Sequence, residues 1–166
     1  MGMETKNNFA FIDNQNLYCA MRDIGWDFDY NKFRRYLKDK FNITQAFIFI
    51  GYKVTNQILY TQFERMGYVV IFKPTLISKD GIIKGNCDAE LVLHTMVHIN
   101  NFDKAIIVSG DGDFHCLVEY LIKKNKLLKL MIPRKDKYSA LLRKFIKYIF
   151  FINHQNLKYK LTKNSK

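Results

Sequence analysis

Residues 104–114 read KAIIVSGDGDF: an apolar run that ends on two aspartates, Asp111 and Asp113, and then opens into a helix. The run does not alternate with polar residues, so it reads as a strand buried on both faces. Behind it, Phe114, Leu117, Val118, Leu121 and Ile122 recur with the 3.6-residue period of an amphipathic helix. A buried strand passing straight into such a helix is the repeating unit of a parallel sheet covered by helices. The acids are the unusual part, because apolar strand ends normally hand over to Gly, Asn or Ser in a turn.

The same reading extends in both directions. Residues 8–13 (NFAFID), 45–51 (QAFIFIG), 68–73 (YVVIFK) and 127–132 (LLKLMI) are further apolar strands, the last two stopped by Pro74 and Pro133. Helices are predicted over 14–22, 29–38 with Asp29 as N-cap, 53–66 closed by Gly67, 87–99, 114–122 and 138–144. Residues 75–86 read as a polar loop and 148–152 as an edge strand. The expectation is an α/β domain over 1–157, followed by a basic, disordered tail over 158–166. In open parallel sheets, ligands bind outside the carboxyl ends of the strands where strand order reverses. Asp13 ends the first strand, Asp111 and Asp113 follow the fourth, and Asp88 opens the apolar helix after KGNC. If the first and fourth strands are neighbours at the reversal, these acids meet.

Bulk composition fits one domain. The chain has 166 residues, 48% hydrophobic and 15% aromatic, a globular composition with enough length for a core. Its formal net charge is +12, and no acid follows Asp136, while Lys137, Arg143, Lys144, Lys147 and four tail lysines do. Such a surface favours phosphate backbones or anionic lipid. The longest greasy stretch, FIKYIFFI, is broken by Lys147 and is far short of the ~20 residues of a membrane helix. The first residues, MGMETKNNF, hold no signal-peptide core. Cys19, Cys87 and Cys116 form no CxxC pair and read as reduced core thiols, which points to a cytoplasmic protein without a membrane partner.

Carboxylates gathered in one pocket repel at roughly 4 kcal/mol per pair at ~4 Å and an effective dielectric of ~20. Either some stay protonated or a cation joins them. Hard oxygen ligands select Mg²⁺ or Mn²⁺. Such ions activate water and neutralise phosphate charge, so phosphodiester hydrolysis on a basic surface is the natural chemistry. Each acid alone also has a plain structural use: Asp13, Asp111 or Asp113 could cap a helix, and Asp88 favours a helix's first turn. Capping explains them separately but not their common location.

FIDNQNLY (11–18), KGNCDAELVLH (84–94) and VSGDGDF (108–114), in this order, resemble the three motifs of the NYN domain, in the LabA-like branch of the PIN-like nuclease superfamily. The resemblance covers roughly residues 8–152. It implies a three-layer α/β/α sandwich, Rossmann-like, with a central mainly parallel sheet of strand order 3-2-1-4-5. It maps the family's catalytic, metal-binding acids onto Asp13, Asp88, Asp111 and Asp113. It matches Asn14 and Asn16 to amides near metal and phosphate, Ser109 and Gly110 to the turn presenting the acids, and Lys84 and Gly85 to a KG pair near phosphate. The implied activity is a Mg²⁺- or Mn²⁺-dependent ribonuclease, in which in-line attack leaves 5′-phosphate and 3′-hydroxyl ends. The implied partner is RNA. A DNA or structure-specific nuclease, a nucleic-acid-binding module without turnover, and a homodimer all stay open.

Other signals carry less. An EF-hand counted from Asp111 puts Cys116 where Gly is needed and Ile122 where Glu is needed. His94 and His98 have i,i+4 spacing but lack the Glu of HExxH, and read as structural. His115 reads as a partly exposed helix residue, and Glu90 as a surface or ion-paired one. GIIKGN is not a P-loop. Tyr52, at the end of the second strand, is a candidate to stack on a base, with rim packing as its structural alternative.

Overall fold

Strand β1 (Asn8–Asp13) is buried along its whole length and sits at the centre of a six-stranded sheet. The computed structural model describes residues 5–52, 54–73, 76–77, 79–80, 83–84 and 88–164. On one side β1 pairs with β2 (Ile43–Gly51), which pairs with β3 (Tyr68–Lys73). A separate antiparallel pair of two-residue strands, β4 (Leu76–Ile77) and β5 (Ile83–Lys84), lies within the segment expected to be only loop. On the other side of β1 come β6 (Ala105–Val108), β7 (Leu127–Ile132) and the edge strand β8 (Ile149–Phe151). Every pairing in the large sheet is parallel, in the order β3-β2-β1-β6-β7-β8. This is the expected order 3-2-1-4-5 with the edge strand added as a sixth.

Among the described residues the α-helices are α1 (Asn14–Asp23), α2 (Tyr30–Phe41), α3 (Gln57–Arg65), α4 (Asp88–Val97) and α5 (His115–Lys123), which lie between strands, and α6 (Lys158–Leu161), which follows the last strand. Asp29 caps α2 by accepting from the Lys32 amide at 3.0 Å, and Gly67, at φ +95°, follows the end of α3 as read from sequence. The stretch expected as a last α-helix is a 3-10 helix over Ala140–Tyr148, capped by Ser139. Cys87, expected to begin α4, lies outside the described residues.

Alternate residues of β1 feed two cores, one on each face of the sheet. Ala10 and Ile12 pack with Leu17 and Met21 of α1, Phe33 and Leu37 of α2, and Phe63 of α3. Phe9 and Phe11 pack with Leu91 of α4, Leu117, Val118 and Leu121 of α5, and Leu142 and Phe145 of the 3-10 helix. The architecture is therefore the three-layer α/β/α sandwich. β3 and β8, at the edges, are buried only in part.

The expected disordered tail is instead docked as far as Asn164. Leu161 is fully buried in the core cluster on the α2 face, and burying a leucine stabilises by about 2 kcal/mol. Thr162 bridges Phe28, and the Lys32 ammonium donates to the Thr162 carbonyl at 2.7 Å. A single leucine among lysines gave no periodic signal to reveal this.

Candidate functional site

β1 and β6 leave the sheet side by side at the point where strand order reverses. Asp13 is the last residue of β1 and is buried, with 5% of its surface exposed. Ser109 and Asp111 follow β6, and Asp88 opens α4. One carboxylate oxygen from each of Asp13, Asp88 and Asp111 lies within 4.8 Å of the others. The sequence placed these three acids together, and the geometry does so too.

Both the capping use and the clustering hold at once. Asp13 Oδ1 accepts the Asn16 amide at 3.3 Å, capping α1, while Oδ2 accepts the Ser109 hydroxyl at 2.9 Å. Ser109 Oγ in turn accepts the Asp111 amide at 3.0 Å, and Asp111 Oδ1 accepts the Asp113 amide at 2.9 Å. Asn16 Oδ1 accepts the Gly110 amide at 2.8 Å. Ser109, only 1% exposed, and Asn16 thus tie the end of β6 to the end of β1. A Cβ on Gly110 would lie a tight 3.3 Å from the Tyr138 Cβ, and a Cβ on Gly112 would overlap Ser139, so Gly112 has no room for a side chain.

Burial is the largest influence on the Asp13 carboxyl and pushes its pKa above the ordinary value of 3.8. The Ser109 and Asn16 hydrogen bonds oppose this, the Asp111 charge adds to it, and the Lys73 charge opposes it. At separations of no more than 4.8 Å, each pair of the triad, if both are charged, repels by ~3 kcal/mol or more at an effective dielectric of ~20. Three hard oxygen donors under this strain fit a divalent cation.

The acids line a cleft of about 280 Å³ with Asn16, Cys19, Arg134 and Lys137. Arg134 ion-pairs with Asp136 and reaches Asp23 at 4.0 Å, so the rim of the cleft mixes basic and acidic side chains. A neighbouring groove shares Asn16, Asp111 and Lys137 with this cleft.

The other expected site residues are more scattered. Asp113 is exposed, stands outside the 4.8 Å triad, and faces the neighbouring groove. Asn14 turns to Tyr30, whose hydroxyl donates to its Oδ1 at 2.7 Å, and it does not line the cleft. Tyr52 packs near Tyr60 and Phe72 and takes a hydrogen bond from Gln57, which is the rim-packing alternative. The backbone of Lys84 belongs to β5, but its side chain and Gly85 lie outside the described residues. His94 and His98 pack against Phe47 and Phe49 as structural residues. Cys116 is exposed and Cys19 half-buried, so neither is the core thiol expected; Cys116 points away because Leu117 and Val118 take the buried face of α5. Glu90 is half-buried, with one carboxylate oxygen fully buried and no hydrogen-bond partner among the described residues. Sequence reading missed Lys73, which is 4% exposed and electrically coupled to Asp13. Its signal was a charge ending a strand just before Pro74, which gains meaning only once strand register is known.

A family model described as NYN domain matches residues 9–153. The Low amplitude and bright protein LabA of Synechococcus elongatus is 26% identical over 121 residues, covering 67% of this chain. The chain spans 65% of that relative's length. The crystal structure of a Vibrio parahaemolyticus protein of unknown function, VPA0982, superposes with a TM-score of 0.74 at 24% identity, covering 92% of this chain and 97% of the other. That likeness shows the fold. Among the described residues, no helix is long and apolar enough to cross a membrane.

Proposed function

This chain belongs to the NYN domain family, and from that membership and the acidic triad we propose that it is a Mg²⁺- or Mn²⁺-dependent ribonuclease. The observation that carries the reading is the convergence of Asp13, Asp88 and Asp111 at the strand-order reversal, in a cleft that Arg134 and Lys137 also line. Asp13, Asp88 and Asp111 would hold the ion. A bound divalent ion would supply a lowered water pKa and neutralisation of phosphate charge.

The remaining work falls to the protein. Ser109 keeps the Asp13 and Asp111 carboxylates in fixed relation by bridging them. Asn16 spends its amide oxygen on Gly110 and keeps its nitrogen as a donor for a phosphate oxygen. Arg134 and Lys137 hold the flanking backbone. Asp113, facing the adjoining groove, orients substrate or water from outside the ion's ligand set. Attack in line with the leaving 3′-oxygen yields 5′-phosphate and 3′-hydroxyl ends and makes no use of the ribose 2′-hydroxyl. The free thiols of Cys19 and Cys116 suit a reducing, cytoplasmic setting.

The exposed position of Asp113 favours one second reading: a module that binds RNA and metal with little turnover. Labelled RNA incubated with Mn²⁺, with EDTA and with the Asp111→Asn variant separates the two. The nuclease reading expects cleavage in Mn²⁺ only, lost in the variant, with 5′-phosphate products. Metal-supported RNA binding without cleavage across RNA and matched DNA substrates would favour the second reading. Equal cleavage by wild type and variant would contradict the nuclease reading.

A further inference from the structure

Lys73 is a buried charge that the acidic triad does not explain. Its side chain is 4% exposed, and its ammonium is fully buried without a hydrogen-bond partner among the described residues. Groups of this kind call for a reason, because a methionine would fill the same space without an unsatisfied charge.

Strand register says where the ammonium can reach. Asp13 on β1 lies opposite Phe49 on β2, and Phe49 lies opposite Ile71 on β3. Partners in a parallel pair share a face, so Asp13, Phe49 and Ile71 are on one side of the sheet. Two residues further on, Gly51 and Lys73 are partners on that same side. Lys73 therefore stands two strands from Asp13; on the strand between them Phe49 lies opposite Asp13 and Gly51, which has no side chain, lies opposite Lys73. The lysine's charge is felt at Asp13, where it favours the carboxylate. Yet Lys73 forms no ion pair with any described carboxylate, which leaves its donors for something else.

We propose that Lys73 is a phosphate-binding residue of this site, its ammonium reaching over Gly51 and donating to a non-bridging oxygen of the substrate phosphodiester. The substrate chain then crosses the triad from the Gly51 side, held by Lys73, to the far side, held by Arg134 and Lys137. The proposal rests on the nuclease reading. The competing role is a permanent counter-charge for Asp13, which would act on metal binding and folding instead of on substrate.

The test uses the full chain with Lys73→Met and Lys73→Gln. Three quantities are measured: melting temperature, Mn²⁺ affinity by calorimetry, and affinity for a short fluorescent single-stranded RNA with Ca²⁺ in place of Mn²⁺. The proposal expects melting no lower than wild type and Mn²⁺ binding at least as tight, because a positive charge has been removed. It also expects RNA affinity about tenfold weaker and a salt dependence shallower by about one charge. RNA affinity within about twofold of wild type overturns it, as does a fall in Mn²⁺ affinity or in melting temperature in both variants. If wild type cleaves RNA with Mn²⁺ while the variants bind RNA equally well, the lysine proposal alone fails. If wild type binds neither Mn²⁺ nor RNA, the nuclease reading fails with it.

Discussion

Asn8 and Asp13 stand at opposite ends of one buried strand, 3% and 5% exposed respectively, and they have opposite fates. Asn8 is finished by the fold. Its amide nitrogen donates to the Phe41 carbonyl at 2.8 Å, and its oxygen accepts the Lys104 amide at 3.1 Å. It pins β1 to the chain entering β2 and β6. Asp13 is also hydrogen-bonded, yet burial and the neighbouring acids leave its charge under-compensated. Buried polarity by itself marks a structural joint. Buried charge that the protein leaves incomplete marks a place for a ligand.

The strongest way to break this contrast is to neutralise the acidic end. Asp13→Asn or Asp111→Asn should lower Mn²⁺ affinity and RNA cleavage by on the order of 10²-fold or more, while metal-free protein melts no lower than wild type. Calorimetry and melting curves on the same samples check both halves. Ser109→Ala removes the bridge but no ligand, so Mn²⁺ affinity should fall by about 10- to 100-fold. At the other end, Asn8→Ala should cost about 1–3 kcal/mol in denaturant unfolding, because it strands a buried carbonyl and amide, with Mn²⁺ affinity unchanged.

pH separates the two ends again. The folded-state pKa of Asp13 is raised above 3.8, so between the ordinary and raised values the folded protein keeps a proton that the unfolded chain has released. Its contribution to metal-free stability is present below the ordinary value and is lost as pH rises through the raised one. Mn²⁺ binding needs the carboxylate, so affinity should fall as pH drops through the same raised value. Stability of the metal-free Asp13→Asn variant should lack this dependence, and Asn8→Ala should keep it. The smallest effect is expected at Asp113→Asn, a cleavage loss with Mn²⁺ affinity within about twofold of wild type, since Asp113 stands outside the triad.

The ends of the strands explain what sequence could and could not reveal. Apolar runs and the acids closing them are local features, so the strands and the acids at their ends were legible; the strand order, and with it the meeting of Asp13, Asp88 and Asp111, followed from the resemblance to the NYN domain. Side-chain direction was not. Asp111 and Asp113 belong to one motif, but a 3-10 turn sends only Asp111 into the triad. Asn14 and Asn16 both lie within three residues of Asp13 in sequence, yet one faces Tyr30 and the other Gly110. Lys73 gains its meaning only from pairing across three strands, and Leu161 only from the surface of α2 on which it lands. These are long-range facts, and no local periodicity encodes them.

The central claim is that Asp13, Asp88 and Asp111 form one cation site. It is tested most directly by titrating Mn²⁺ into wild type, Asp111→Asn and Asn8→Ala at neutral pH and following free Mn²⁺ by electron paramagnetic resonance. The account predicts a saturable site in wild type and in Asn8→Ala that is lost in Asp111→Asn. Absence of Mn²⁺ binding in wild type, or equal binding in Asp111→Asn, would contradict it.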